Sequence, residues 1–233
     1  MEYLYVGSFP KMIGVSFYKP MDYFSGMFNR FVTWMTAGNF CHTELIVQAK
    51  PAVIMGVIKD IYAGANQNHY HPEDCQRILS SIESNFFDNR RFRDLAQSSD
   101  MMWISFSLLW GQPMAVRALE PTHHDSWFRI PSAETDNMEL RYLTDITEEH
   151  VKETLKFSVE ELGKEYDTTG ALCSWLPLGS ATQPSYDTYF CSQFVVTAFQ
   201  RLGYMPDLSA IHTTPNTLYH YMDQKMNTTQ SSI

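Results

Sequence analysis

Tyr189-Phe190-Cys191-Ser192-Gln193-Phe194-Val195-Val196 sets a cysteine at the start of an amphipathic helix, and its reading decides the fold. About 150 residues upstream lies its complement, Phe40-Cys41-His42-Thr43-Glu44-Leu45-Ile46-Val47, a histidine in a strand-like run. A thiol at a helix N-terminus sees the positive end of the dipole and unpaired backbone N–H groups, and both favour thiolate. An imidazole brought beside it completes a nucleophile–base pair. Glu44 follows His42 by two residues, so on a strand it shares the histidine's face and can orient the imidazole. A surface carboxylate at a sheet edge is the equally weighted alternative. Cys41 and Thr43 fall on the opposite face, which argues against Cys41 as the nucleophile.

The bulk composition narrows the classes. At 233 residues with 44% hydrophobic and 18% charged residues, the chain can bury the core of one globular domain. The net charge of −9 and the lack of any Lys/Arg run disfavour nucleic acid and anionic membrane surfaces as partners. The start, Met1-Glu2-Tyr3-Leu4-Tyr5, lacks the pattern of a secretory signal. No apolar window approaches the ~18 residues of a membrane span. Four irregularly spaced cysteines, Cys41, Cys75, Cys173 and Cys191, then read as free thiols in a reducing compartment, and a cytoplasmic location is expected.

Working outward, residues 11–18 predict a first strand. Asp22 caps a helix carrying Phe24, Met27, Phe28, Phe31, Val32 and Met35 at helical spacing, and Gly38-Asn39 ends it before the strand over 40–48. Residues 63–100 are polar and read as an insertion with one helix near Pro72 to Phe87. Strands follow at Met101–Trp110, Met114–Leu119, Trp127–Ile130 and Glu139–Leu143. Thr147 caps a helix with Val151, Leu155, Val159 and Leu162 along one face, and Gly163 stops it. The cysteine helix spans 191–202, a last helix runs from Pro215 to about Met222, and 227–233 is expected to be a disordered tail. The order of elements is α+β: one domain over 1–226 with no strict strand–helix alternation.

These motifs together resemble the circularly permuted branch of the NlpC-type papain-like superfamily, which has bacterial and viral members and is related to the lecithin:retinol acyltransferase-like proteins. The residues that carry the resemblance are His42-Thr43-Glu44, Gly163-Lys164-Glu165-Tyr166-Asp167-Thr168-Thr169-Gly170 and Phe190-Cys191-Ser192-Gln193, with Thr214-Pro215 opening the closing helix. It covers roughly 11–222 and skips the 63–100 insertion. Gln193 stands where many relatives carry an acidic residue, a departure expected to alter local packing more than chemistry. The resemblance implies an antiparallel sheet or small barrel packed against helices.

It also implies a cysteine-dependent hydrolase or acyltransferase acting through an acyl-enzyme on Cys191, with His42 as base and Glu44 as third residue. The backbone N–H of Cys191 would meet the oxyanion with a second donor, for which Tyr166 is the candidate if it does not line the pocket or serve as a packing anchor. Ser192 is placed with the same substrate and oxyanion group. Asp167 reads as a turn former. Peptide amides, thioesters and lipid esters are all open as substrates; the aromatic residues and 13 Met lean toward an acyl chain. Peripheral membrane contact and oligomeric state stay open. The rival reading is a catalytically silent papain-like scaffold, a binding or structural protein such as a virion component. No cofactor or metal is expected: His69, His71 and Cys75 have the composition of a metal site but lack a fourth ligand at conventional spacing. His123-His124 reads as a loop, and Trp103, Trp110, Trp127 and Trp175 suit a groove or ordinary packing equally.

Overall fold

The computed structural model describes residues 12–20, 33, 38–119, 138–143, 145–174 and 187–230, and the following statements concern these. The expected helix over Phe24–Met35, the Trp127–Ile130 strand, His123-His124, Trp175 and residues 231–233 fall outside them, Thr33 excepted. The architecture is α+β: seven α-helices and an antiparallel sheet of five strands, with a second pairing of two short strands.

The large sheet is built from β1 (Met12–Tyr18), β2 (His42–Ala49), β3 (Met102–Ser107), β4 (Ala115–Leu119) and β5 (Met138–Tyr142), in the order β4-β3-β2-β1-β5. It is an open sheet with β4 and β5 at its edges rather than a closed barrel. Strand alternation sorts its side chains. Ile13, Val15 and Phe17 of β1, Leu45 and Val47 of β2, and Ile104 and Phe106 of β3 point to one face and form the core. Ser16, Tyr18, His42, Glu44, Ser105 and Arg117 alternate onto the other. That second face is buried too over the central strands, as the unbroken burial of β2 and β3 shows.

Three helices join β2 to β3: α1 (Pro51–Asn66), α2 (Pro72–Ile82) and α3 (Arg90–Ser98). The chain over 63–100 therefore holds more than the one expected helix, and its helices pack on the core. Ile78, Ile82, Phe86, Phe92 and Leu95 all enter the main core beside Ile54, Ile58 and Ile61 of α1. Arg77 of α2 donates to the carbonyls of Glu160 (2.9 Å) and Leu162, capping the end of α4 (Glu148–Glu160). Gly163 follows with φ +79°, where a Cβ would stand 2.4 Å from the Ser81 hydroxyl oxygen, so only glycine suits this turn. Thr147 caps α4 as expected, accepting from the His150 N–H at 3.2 Å.

Beyond α4 come β6 (Glu165–Tyr166), α5 (Thr168–Cys173), β7 (Thr188–Tyr189), α6 (Cys191–Arg201) and α7 (Pro215–Gln230). The last helix runs through Gln230, so residues 227–230 of the expected tail are helical. Its first turn grips the entry to β2. Asn216, 5% exposed, donates to the Phe40 carbonyl and accepts from the Phe40 N–H, both at 2.9 Å. Gly38 leaves room for this amide, because a Cβ there would collide with it at 2.0 Å. Among the described residues no helix is long and apolar enough to cross a membrane.

Candidate active site

Two local arrangements deliver Cys191. β6 and β7 pair in parallel with Tyr166 opposite Tyr189, and the Asp167 N–H donates to the Tyr189 carbonyl at 2.7 Å. Two residues after Tyr189, α6 begins at Cys191 itself, with the Phe190 N–H donating to Gln193 Oε1 (3.3 Å). Gln193 thus closes the helix start, in line with a packing role for that position. The helix packs on β2, with its first residue beside the strand's first two, His42 and Thr43.

The Cys191 thiol is consequently met from both sides of β2. The His42 imidazole lies beside it and acts on it through hydrogen bonding and charge, and Thr43 lies beside the same sulfur. Tyr166 completes the surround, and burial with the neighbouring Cys191 holds its hydroxyl protonated. Burial opposes a thiolate here, but the His42 hydrogen bond and charge, with help from Thr43, outweigh it and hold the thiol below its ordinary value. Burial likewise opposes an imidazolium, yet the hydrogen bonds to Cys191 and Glu44 push His42 up to about 9. Thiolate and imidazolium therefore stabilise each other.

Behind His42 stands Glu44, its carboxylate fully buried, with Oε1 3.4 Å from His42 Nε2. Four strands converge on this carboxylate. Tyr18 donates to Oε2 at 3.0 Å, Ser105 donates to Oε2 at 2.6 Å, and Arg117 Nη2 contacts both oxygens. Arg117 Nη2 also donates to the Tyr18 hydroxyl at 3.0 Å. Burial pushes the carboxyl up, but the guanidinium charge and the His42 hydrogen bond outweigh it and hold Glu44 well below the usual carboxylate range. Glu44 is ionised and aimed at the histidine.

The remaining expected residues have plain positions. Ser192 is fully buried, and its hydroxyl donates to the Thr213 carbonyl at 2.6 Å, tying α6 to the turn before α7. Its side chain is committed there, and only its backbone belongs to the helix start near the thiol. Asp167 caps α5 by accepting from the Gly170 N–H at 2.7 Å. The Cys41 thiol donates to the Tyr18 carbonyl at 3.4 Å, and burial with the neighbouring Cys191 pushes it up to about 12, so it stays protonated. Thr43 lies on the face of β2 opposite His42, the core face against which α6 packs. Cys75 turns into the core and donates to the Tyr70 carbonyl at 3.4 Å. Among the described residues no group of three or more His, Cys, Asp or Glu is arranged to hold a metal ion. Trp103 is buried against Tyr142 on the second face, while Trp110 is 54% exposed.

Reading the motifs alone misses Tyr18, Ser105 and Arg117. The signal that finds them is register. Tyr18 lies opposite His42, Ser16 opposite Glu44 and Arg117 opposite Ser105, so polar residues at alternate positions of four strands share one buried face. Comparison with protein-family models, curated proteins and solved structures finds no match to this chain.

Proposed function

We propose that this protein is a cysteine-dependent hydrolase or acyltransferase on a circularly permuted papain-like fold, working through an acyl-enzyme on Cys191. The observation that carries the reading is the chain of contacts from the Cys191 sulfur through His42 to Glu44 at a helix N-terminus. In the first half-reaction the thiolate attacks a carbonyl carbon, a C–S bond forms, and the carbonyl electrons move onto oxygen. The Cys191 N–H at the start of α6 and the Tyr166 hydroxyl are donors suited to that oxyanion. The intermediate collapses, the bond to the leaving group breaks, and His42 gives that group its proton. Water or an acceptor alcohol or amine then loses a proton to His42, attacks the thioester and releases Cys191. Glu44 keeps the ring oriented and stabilises imidazolium. A peptide amide, a thioester and a lipid ester all meet these requirements.

One observation favours the second reading, a silent scaffold used for binding. Cys191 and His42 are each only 4% exposed, which is little access for a substrate. Acyl capture separates the two. Incubation with activated acyl esters and thioesters, followed by acid quenching and peptide mass spectrometry, should give an acyl adduct on Cys191 or turnover of the donor, and neither in Cys191→Ala. His42→Ala should slow acylation by about 10²–10⁴-fold. A folded protein that neither forms an adduct nor turns over any of these acyl donors is the scaffold, not the enzyme.

A further inference from the structure

Arg117 comes from an edge strand, 74 positions downstream of Thr43, and touches neither the thiol nor the imidazole in the contacts above. Its partner is unusual. The Glu44 carboxylate is wholly removed from solvent, whereas the Arg117 side chain is 38% exposed, so a positive charge is fed inward from the sheet edge. Tyr18 and Ser105 satisfy lone pairs of the carboxylate but, being neutral, do not cancel its charge.

We infer that Arg117 is a positioning residue of this site: as the last of four linked charges (thiolate, imidazolium, carboxylate, guanidinium), it keeps Glu44 ionised and thereby keeps Cys191 a thiolate. The inference rests on the activated-cysteine reading above. Among the described residues, the titratable groups that face this chain of charges include Tyr18 from β1, Cys41 and His42 from β2, Tyr166 from β6 with Asp167 beside it, and Cys191 from α6. Burial holds Tyr18, Cys41 and Tyr166 in their protonated, neutral forms. The four charges therefore cancel among themselves with Arg117 present, and leave one net negative charge in a buried site without it.

That excess is relieved by taking up one proton. If Glu44 takes it, His42 loses the anion behind it, and the thiol keeps its own proton. If Glu44 stays ionised, the thiolate is the second anion on one imidazolium, and it takes the proton. Both routes lower the thiolate fraction. Lysine at 117 keeps the charge while losing the planar fork that reaches both carboxylate oxygens, so it should restore most of the effect.

The test is the rate of Cys191 alkylation by iodoacetamide against pH, read by peptide mass spectrometry. It is run on wild type, His42→Ala, Arg117→Gln, Arg117→Lys, Glu44→Gln and the Glu44→Gln/Arg117→Gln double variant, with circular dichroism confirming the fold of each. The wild-type midpoint should lie well below the ~8.5 of a free thiol and return toward it in His42→Ala. Arg117→Gln should raise the midpoint by at least one unit, about a tenfold loss of rate at pH values below the wild-type midpoint. Arg117→Lys should stay within half a unit of wild type, at about that precision.

In the Glu44→Gln background, removing Arg117 should no longer raise the midpoint. That pair also covers the case in which Arg117→Gln fails to fold, because the double variant leaves no buried unpaired carboxylate. A wild-type midpoint of an ordinary thiol overturns the catalytic reading itself. A depressed wild-type midpoint that Arg117→Gln leaves in place overturns only the role of Arg117. An equal rise in both backgrounds does so as well, since it would mean that Arg117 acts without Glu44.

Discussion

On one face of the sheet Val15, Phe17, Leu45, Val47 and Phe106 meet helices through apolar surface alone; on the other, Tyr18, His42, Glu44, Ser105 and Arg117 form one connected set of charges and hydrogen bonds. The first face draws its energy from area removed from water, about 1.5–3 kcal/mol for each large side chain, and its members contribute almost independently. The second draws little net stability from each contact and depends on every member having its partners. Both faces are cut from the same strands by simple alternation. β2 is the joint between them, since it gives Leu45 to one side and Glu44 to the other.

The largest expected effect breaks the comparison from the apolar side. Phe17→Ala should cost about 3–5 kcal/mol in urea unfolding, from lost transfer energy and the cavity left behind. Its neighbour Ser16→Ala, on the polar face, should cost about 1 kcal/mol or less. Similar losses at both positions would erase the distinction. Next comes the clamp at the entry to β2. Asn216→Ala leaves the Phe40 N–H and carbonyl buried without their partner and should cost about 2–4 kcal/mol. Hydrogen exchange at Phe40 should accelerate in this variant well beyond exchange at Leu45.

The smallest effect sharpens the polar side. A histidine raised to about 9 adds stability that is full below about pH 6.5 and fades as pH rises through 9. A thiol held below its ordinary value adds stability that is full above about pH 8.5 and fades as pH falls through its folded value. Between about 6.5 and 8.5 the two slopes oppose each other, since the folded pair and the unfolded pair each bind one proton. Wild-type stability from the pair should therefore be level across that window. Cys191→Ala removes the thiol's slope and also one of the two partners that raise His42. Its stability should therefore fall with rising pH, at up to about 1.4 kcal/mol per unit, only over the narrower range in which Glu44 alone keeps His42 protonated. Unfolding midpoints taken at half-unit steps check the sign.

Much of this could be read from local pattern. The Thr147 cap, the Gly163 stop, the His42/Glu44 alternation and the helix opening at Cys191 each rest on residues close together in the chain. What could not be read depends on distance or on conflicting propensity. Helix α1 has the right spacing, with Ile54, Ile58, Ile61 and Ala65 buried along one side and proline in its first turn. Yet its run of Val and Ile is what a strand prefers, and packing against the core overrides that preference. Residues 63–100 look polar because each of their helices buries only a narrow stripe, as α3 does with Phe92 and Leu95. The spacing from Pro215 predicts a helix to about Met222, whereas the backbone continues through Asn227–Gln230, a polar run with no pattern to extend it. Arg117 gives no local sign at all, because its meaning comes from two strand pairings away.

The hold of Asn216 on Phe40 closes 176 residues of chain into one loop. The strand carrying His42 leaves the ribosome early, and the helix carrying Cys191, with the clamp behind it, leaves late. A nascent chain can thus finish its sheet before Cys191 exists to meet His42. The order of synthesis withholds that contact until the final helices dock.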